Sequence, residues 1–134
     1  MKKLVSFILI CVLVLGLAGC RGEAKDVTVD PSESKIYTQA EIDDAMDVAI
    51  RYFKKHFSGC TLTEIAYIGD DKLDGYIEFA ERHDADDVIV FISSFDVDAS
   101  GGDGSLNPNS TYTGWNWILV RNDGGNWKHV DHGY

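Results

Sequence analysis

The segment 96–107, DVDASGGDGSLN, has the spacing of oxygen donors that opens a calcium-binding loop. Asp96, Asp98 and Ser100 occupy alternate positions, and a glycine follows at the sixth position, as in twelve-residue calcium loops. Position twelve holds Asn107 where such loops have a bidentate glutamate, although Asp103 offers one further carboxylate. Glycine-rich hairpin loops also use these residue types without any metal. The pattern therefore predicts a flexible acidic loop, with calcium as an alternative cofactor.

The last strand-like segment contains His129, Asp131 and His132. In a regular strand His129 and Asp131 would lie on one face, where they could act as a general base and its orienting carboxylate. Alternation would put His132 on the other face, which disfavours a metal site that uses both histidines. The sequence shows no third partner, so a polar terminal strand is the plainer interpretation.

Four aromatic residues make the C-terminal region a candidate ligand-binding surface: Tyr112, Trp115, Trp117 and Trp127. Large aromatic side chains are typical of binding sites, but they also fill the cores of small domains. Because alternation places Trp115 and Trp117 on one face, we expect that face to be buried. Cys60 is open to two interpretations as well, a reactive thiol or a small buried side chain, and the lack of a neighbouring histidine favours the second.

These residues need a scaffold, and its clearest element is a helix predicted from about 39 to 57. Thr38 and Glu41 have the spacing of a capping box, and Gly59 ends the pattern. Apolar residues recur at helical spacing along the segment. The helix should therefore bury one stripe that contains Ile42, Ala45, Met46, Ala49, Ile50, Phe53 and Phe57.

Strand patterns follow at 61–69, 87–97, 111–121 and 126–133, with a short helical pattern at 74–83. The sequence NDGG between the last two strands predicts a tight hairpin turn. A long N-terminal helix followed by a mostly antiparallel sheet predicts the α+β class, in which the helix covers one face of the sheet.

The run STYTGWNWILVRNDGGNWKHVDHGY resembles the C-terminal hairpin of a family of uncharacterised lipoprotein domains of Gram-positive bacteria. That family belongs to the nuclear-transport-factor-2-like, or cystatin-like, fold group. The resemblance covers roughly residues 37–134 and implies a curved sheet wrapped on the helix around a cone-shaped interior. It implies no activity, because this fold supports both enzymes and inert modules.

The N-terminal segment MKKLVSFILICVLVLGLAGC reads as a secretory signal, with two lysines, an apolar run and small residues. Its end, from Leu17 to Cys20, looks like the lipobox of bacterial lipoproteins, in which the cysteine is lipidated and becomes the mature N-terminus. The chain then divides into a signal peptide at 1–19, a lipidated and flexible tether at 20–35, and one domain at 36–134. We expect the protein to be anchored through Cys20 to the cell membrane, facing outside the cytoplasm.

Charge narrows the choice of partners. Cleavage after residue 19 would remove Lys2 and Lys3, the only charged residues there, and would take the formal charge from −10 to −12. A chain this acidic is unsuited to nucleic acid. We therefore expect a non-catalytic domain that binds an unknown protein or small molecule. A small enzyme that uses His129 and Asp131, and a calcium-dependent surface module, are the alternatives.

Overall fold

The computed structural model describes residues 22–30 and 33–134 as an α+β domain with a five-stranded sheet in the order β1-β2-β3-β4-β5. β1 pairs parallel to β2, and the other neighbouring strands are antiparallel. The sheet is therefore mixed. Its elements along the chain are β1 Glu23–Asp30, α1 Gln39–His56, β2 Cys60–Tyr67, a 3-10 helix Asp70–Tyr76, α2 Ile77–Arg82, β3 Asp87–Val97, β4 Ser110–Arg121 and β5 Lys128–Gly133.

α1 begins at the predicted capping box. The Thr38 side chain accepts a hydrogen bond from the Glu41 backbone N–H, and the Glu41 carboxylate accepts one from the Thr38 N–H. These reciprocal bonds satisfy two backbone donors that a helix otherwise leaves free at its start. The helix then buries its apolar stripe against the sheet, at Ile42, Ala45, Met46, Ala49 and Phe53.

The sequence pattern predicted α1 as the first element of the fold, but a strand precedes it. β1, Glu23–Asp30, precedes it and pairs with β2. The segment was interpreted as a tether because it has few apolar residues. An edge strand, however, needs backbone hydrogen bonds on one side only, and these do not depend on apolar side chains. The signal peptide, the lipobox and Cys20 lie outside the described residues.

The remaining elements lie close to their predicted positions. β3 spans the predicted residues, and β4 begins one residue earlier than predicted. In the NDGG segment, Asp123 and Gly124 both have positive φ, 51° and 65°, and the Gly125 N–H donates to the Asn122 carbonyl at 2.8 Å. The predicted tight turn therefore forms, but within a longer loop, 122–127, that joins β4 to β5. Asp74, where the predicted short helical pattern begins, lies inside the 3-10 helix, and the N-cap position of α2 is Tyr76.

Arg121 joins three elements at the N-terminal end of α1. Its guanidinium forms ion pairs with Glu41 of α1 and, at 2.9 Å, with Asp87 of β3. The same group lies 4.4 Å from the ring centre of Trp127, which is itself 7% exposed. Tyr37 packs edge-on against that indole at 5.5 Å. At this end of the domain, a cation is therefore held between two carboxylates and aromatic rings.

Candidate functional site

A cavity of about 330 Å³ lies at the opposite, C-terminal end of α1. We call it the helix-end cavity. The end of α1 and the turn after it, the loop between β3 and β4, and the strands β4 and β5 all contribute to its wall. Its volume is at the lower end of the range of small-molecule sites, roughly 300–1,000 Å³. Its lining residues are Tyr52, His56, Phe57, Ser58, Cys60, Gly102, Asp103, Ser105, Leu106, Trp115 and His132.

Gly102 lets the loop between β3 and β4 close over this cavity. It has a φ of +68°, which residues with a Cβ rarely adopt. A Cβ placed there would lie 3.1 Å from Leu106 Cδ1 and 3.7 Å from Cys60 Sγ. The positive φ therefore favours glycine at this position, and the loop packs closely on Leu106 and on the start of β2.

The cavity wall continues into a pair of histidines, His129 and His132, which we call the histidine pair. Nδ1 of His132 lies 3.2 Å from Nε2 of His129, so the two imidazoles share one hydrogen bond. Tyr52 stacks on His129 with ring centres 3.8 Å apart. Trp117 packs on both imidazoles, at 5.9 Å from His129 and 5.3 Å from His132.

The predicted pairing of His129 with Asp131 is wrong, because the register of β5 shifts between them. Leu119 pairs with His129 and Ile118 with Asp131, which leaves Val130 as an extra residue on β5. Such a bulge reverses the alternation of side chains. It brings His129 and His132 to the helix side, while Asp131 is exposed and accepts a hydrogen bond from the His132 backbone N–H at 2.8 Å.

Burial keeps the histidine pair neutral near neutral pH. It lowers the pKa of His129 to about 4, and the neighbouring His132 lowers it further in the same direction, while Asp131 opposes the change. Burial likewise lowers the pKa of His132. The two rings therefore act as uncharged aromatic surfaces with hydrogen-bonding nitrogens.

Each carboxylate of the predicted calcium loop accepts hydrogen bonds from residues of the same loop or of β4. Asp98 accepts hydrogen bonds from the backbone N–H and the hydroxyl of Ser100, and Asp103 binds Ser105 in the same way. The Asp96 carboxylate accepts a hydrogen bond from the Thr111 hydroxyl, across to β4. Asn107, at position twelve of the predicted calcium loop, donates its backbone N–H to the Tyr112 hydroxyl. Among the described residues, no group of three or more His, Cys, Asp or Glu side chains is placed to hold a metal ion.

The four aromatic residues of the predicted binding surface have different surroundings in the structure. Trp117 is fully buried, and its Nε1 donates to the Ser93 hydroxyl at 2.8 Å. Trp127 lies beside Arg121 near the N-terminal end of α1. Tyr112 stacks on Phe95 and packs edge-on against Trp115, with ring centres 5.2 and 5.7 Å away. Trp115 lines the helix-end cavity, and its buried Nε1 has no hydrogen-bond partner among the described residues.

Cys60 forms part of the cavity floor but is only 1% exposed. Burial, together with the nearby carboxylates of Asp98 and Asp103, raises the pKa of its thiol to about 11. The thiol is therefore protonated at neutral pH, whereas a nucleophilic cysteine needs the thiolate form. This agrees with its interpretation as a small buried side chain.

Comparisons of the chain with protein-family models, with curated proteins and with solved structures find no match. The geometry of the helix-end cavity therefore carries the functional argument. Within residues 22–30 and 33–134, no helix is both long enough and apolar enough to cross a membrane.

Sequence reasoning missed the contribution of α1 to this site. Tyr52 and His56 are four residues apart, so they are neighbours on the helix surface, and their rings lie 4.3 Å apart. Helical spacing alone could have paired them. It could not have shown that the histidine pair would lie against them, since that contact joins segments more than 70 residues apart in the sequence.

The histidine pair makes stability depend on pH. We expect the melting temperature to fall as pH is lowered from about 6.5 to about 4, because the unfolded chain takes up protons at His129 that the folded chain does not. The variant His129→Phe should flatten this dependence. Acidic groups such as Glu41, with a pKa lowered to about 2, lose their contribution at lower pH still, between about 4.5 and 2.

Thermal denaturation at half-unit pH intervals measures the effect, with His83→Phe as the control variant. His83 is an exposed residue at the C-terminal end of α2, away from the cavity. The His83→Phe variant should show the same slope of melting temperature against pH, between pH 4 and 6.5, as the unsubstituted protein. An unchanged slope in His129→Phe would contradict the assignment.

Proposed function

We propose that this protein is a lipid-anchored, extracytoplasmic lipoprotein whose domain binds a small molecule in the helix-end cavity and catalyses no reaction. We further propose that α1 and the sheet form a variant of the cystatin-like, or nuclear-transport-factor-2-like, cone. The sequence resemblance of the C-terminal hairpin supports this fold group. In such a cone the open end between helix and sheet is a natural site for a ligand, since binding sites are concave and lined by apolar and aromatic groups.

The lining of the helix-end cavity is the observation that carries this proposal. The rings of Phe57 and Trp115 lie 6.0 Å apart at a steep angle, with His132 5.3 Å from the first and 5.9 Å from the second. Polar groups of Ser58 and Asp103 line the same cavity. Aromatic walls with a few polar groups are the usual composition of a small-molecule site.

Chemical-shift mapping tests binding at this cavity. Residues 22–134 contain the whole described core, so this soluble segment should fold by itself and can be labelled with ¹⁵N for NMR. Indole, phenol, butanol and choline serve as probes at millimolar concentration. We expect at least one probe to shift the amides of Gly102 and Leu106 and the indole N–H of Trp115. Shifts that are absent for all four, or that centre on Trp127, would overturn the proposal.

The anchor is tested separately. Cys20→Ala should abolish incorporation of radiolabelled palmitate and should leave the precursor uncleaved at residue 19, because the cysteine sulfur is the site of acylation. The buried thiol of Cys60 provides the control, and Cys60→Ala should be labelled like the unsubstituted protein. Labelling that persists in Cys20→Ala would contradict the lipoprotein assignment.

The enzyme alternative required His129 and Asp131 on the same face of β5, but Asp131 lies on the opposite face. A histidine–histidine hydrogen bond between neutral rings does not supply the orienting carboxylate that a general base of that kind requires. The observations therefore favour binding over catalysis.

A further inference from the structure

We propose that the ligand of the helix-end cavity is a small organic cation of the quaternary or alkylated ammonium class. The inference rests on the proposed function, because it assumes that this cavity is the binding site. It adds the chemical class of the ligand, which follows from the rings and charges around the cavity.

Four rings line the helix-end cavity: Tyr52, Phe57, Trp115 and His132. The first three contact His132, with ring centres 5.6, 5.3 and 5.9 Å from the imidazole. The faces of tyrosine, phenylalanine and tryptophan carry negative electrostatic potential and attract cations. Cages of several such rings recognise alkylated ammonium groups, which cannot be bound through hydrogen bonds when fully substituted.

The charged side chains around the cavity are mainly acidic. Among the described residues, its lining includes Asp103 and no lysine or arginine. His132 does not supply a positive charge near neutral pH, because burial lowers its pKa. Asp98 lies close enough to raise the pKa of the Cys60 thiol at the cavity floor. An anionic ligand would therefore meet the negative charge of Asp103 and Asp98 with no lysine or arginine in the described lining to offset it, whereas a cation would be attracted.

The cavity lies at the C-terminal end of α1. The carbonyl groups at the C-terminus of a helix give that end a partial negative charge. His56 and Phe57, the last helical residue and the C-cap, both line the cavity, as does Ser58 after them. Lys54 and Lys55 are also in the last turn, but their exposed side chains are not part of the lining. The backbone thus favours the same sign of ligand as the side chains.

Choline and its neutral carbon isostere 3,3-dimethyl-1-butanol provide the sharpest test, since they have nearly the same shape and differ in charge. Calorimetric titration of residues 22–134 at pH 7 and 0.1 M salt should give a dissociation constant for choline at least about tenfold lower than that for the isostere. Equal affinities would overturn the cation inference while leaving the cavity as a binding site. If neither compound binds, the inference fails, and the mapping with indole, phenol and butanol decides separately whether the proposed function stands.

A charge-neutral substitution locates the effect. Asp103→Asn keeps a side-chain oxygen that can accept the hydrogen bonds from Ser105, but it removes the negative charge. We expect choline to bind about threefold to tenfold more weakly to this variant, and the isostere to bind unchanged. Asp74→Asn, an exposed carboxylate of the 3-10 helix outside the cavity lining, is the matched control and should leave both affinities unchanged. Equal losses of choline affinity in both variants would show only a general charge effect and would overturn the site.

A trimethylammonium group can come from a free solute or from a lipid headgroup, and vesicles separate the two sources. We commit to a free solute, because a cavity volume of about 330 Å³ suits a small molecule. Residues 22–134, without lipid, should not co-sediment with dioleoylphosphatidylcholine vesicles. Co-sedimentation that free choline competes away would reassign the ligand to the headgroup.

Discussion

Replacing Trp117 with alanine should lower the free energy of unfolding by about 3–5 kcal/mol. The indole is fully buried and packs against Phe53 and Phe57 of the α1 region, with ring centres 6.0 and 5.2 Å away. Its Nε1 also donates to the Ser93 hydroxyl, which in turn donates to the Trp115 carbonyl. The substitution therefore leaves a large cavity and breaks a link between β3 and β4.

Urea denaturation of residues 22–134 measures this loss. Ile92→Ala is the control, since Ile92 belongs to the same sheet but is 39% exposed. It should cost less than about 1 kcal/mol. A loss below about 1 kcal/mol in Trp117→Ala would contradict the placement of this tryptophan at the centre of the core, and would instead favour the interpretation of Trp117 as part of a surface.

Replacing Arg121 with methionine should cost about 2–3 kcal/mol of unfolding free energy. The side chain is only 10% exposed and bonds two carboxylates, Glu41 and Asp87, while it lies over the ring of Trp127. Methionine keeps much of the packing but leaves both carboxylates without their cation. The unfolding free energy of Arg121→Lys should lie between that of the unsubstituted protein and that of Arg121→Met. An ammonium group keeps the charge, but it cannot reproduce the planar contacts to two partners.

Arg82→Met is the matched control for this prediction. Arg82 also pairs with a carboxylate, Glu78, but the two side chains are 61% and 59% exposed. Exposed pairs of this kind are worth only a few tenths of a kcal/mol. Denaturation midpoints of the variants, measured at pH 7 with unchanged slopes, give the comparison. Equal small losses in Arg82→Met and Arg121→Met would show that Arg121 does not hold α1, β3 and β4 together at this end of the domain.

The sequence predicted the local parts of the fold well because their signals are local. The capping box of Thr38 and Glu41, the spacing of the helix stripe and the apolar run of β3 each lie within a few turns or one strand. β1 gave no such signal. Its place in the sheet comes from pairing with β2, about forty residues away along the chain, and its composition is that of a solvated segment.

The candidate site was predicted less well, because long-range register decides it. Alternation placed His129 with Asp131, whereas one extra residue in β5 turned His132 to the same side as His129. A bulge depends on the pairing with β4, which the sequence of β5 alone does not reveal. The cavity itself needs α1, the loop at Gly102 and Trp115 together, and no single segment carries that pattern.

A choline titration followed by ¹⁵N NMR tests most directly whether the helix-end cavity is the binding site. It compares the unsubstituted protein with two substitutions of aromatic residues, Trp115→Ala and Tyr76→Ala. Trp115 lines the cavity, while Tyr76 is a half-buried aromatic residue outside it. We predict saturable shifts at Gly102 and Leu106 in the unsubstituted protein and in Tyr76→Ala, and at least tenfold weaker binding in Trp115→Ala. Equal binding in both variants, or shifts away from the loop, would contradict the claim that the helix-end cavity is the binding site.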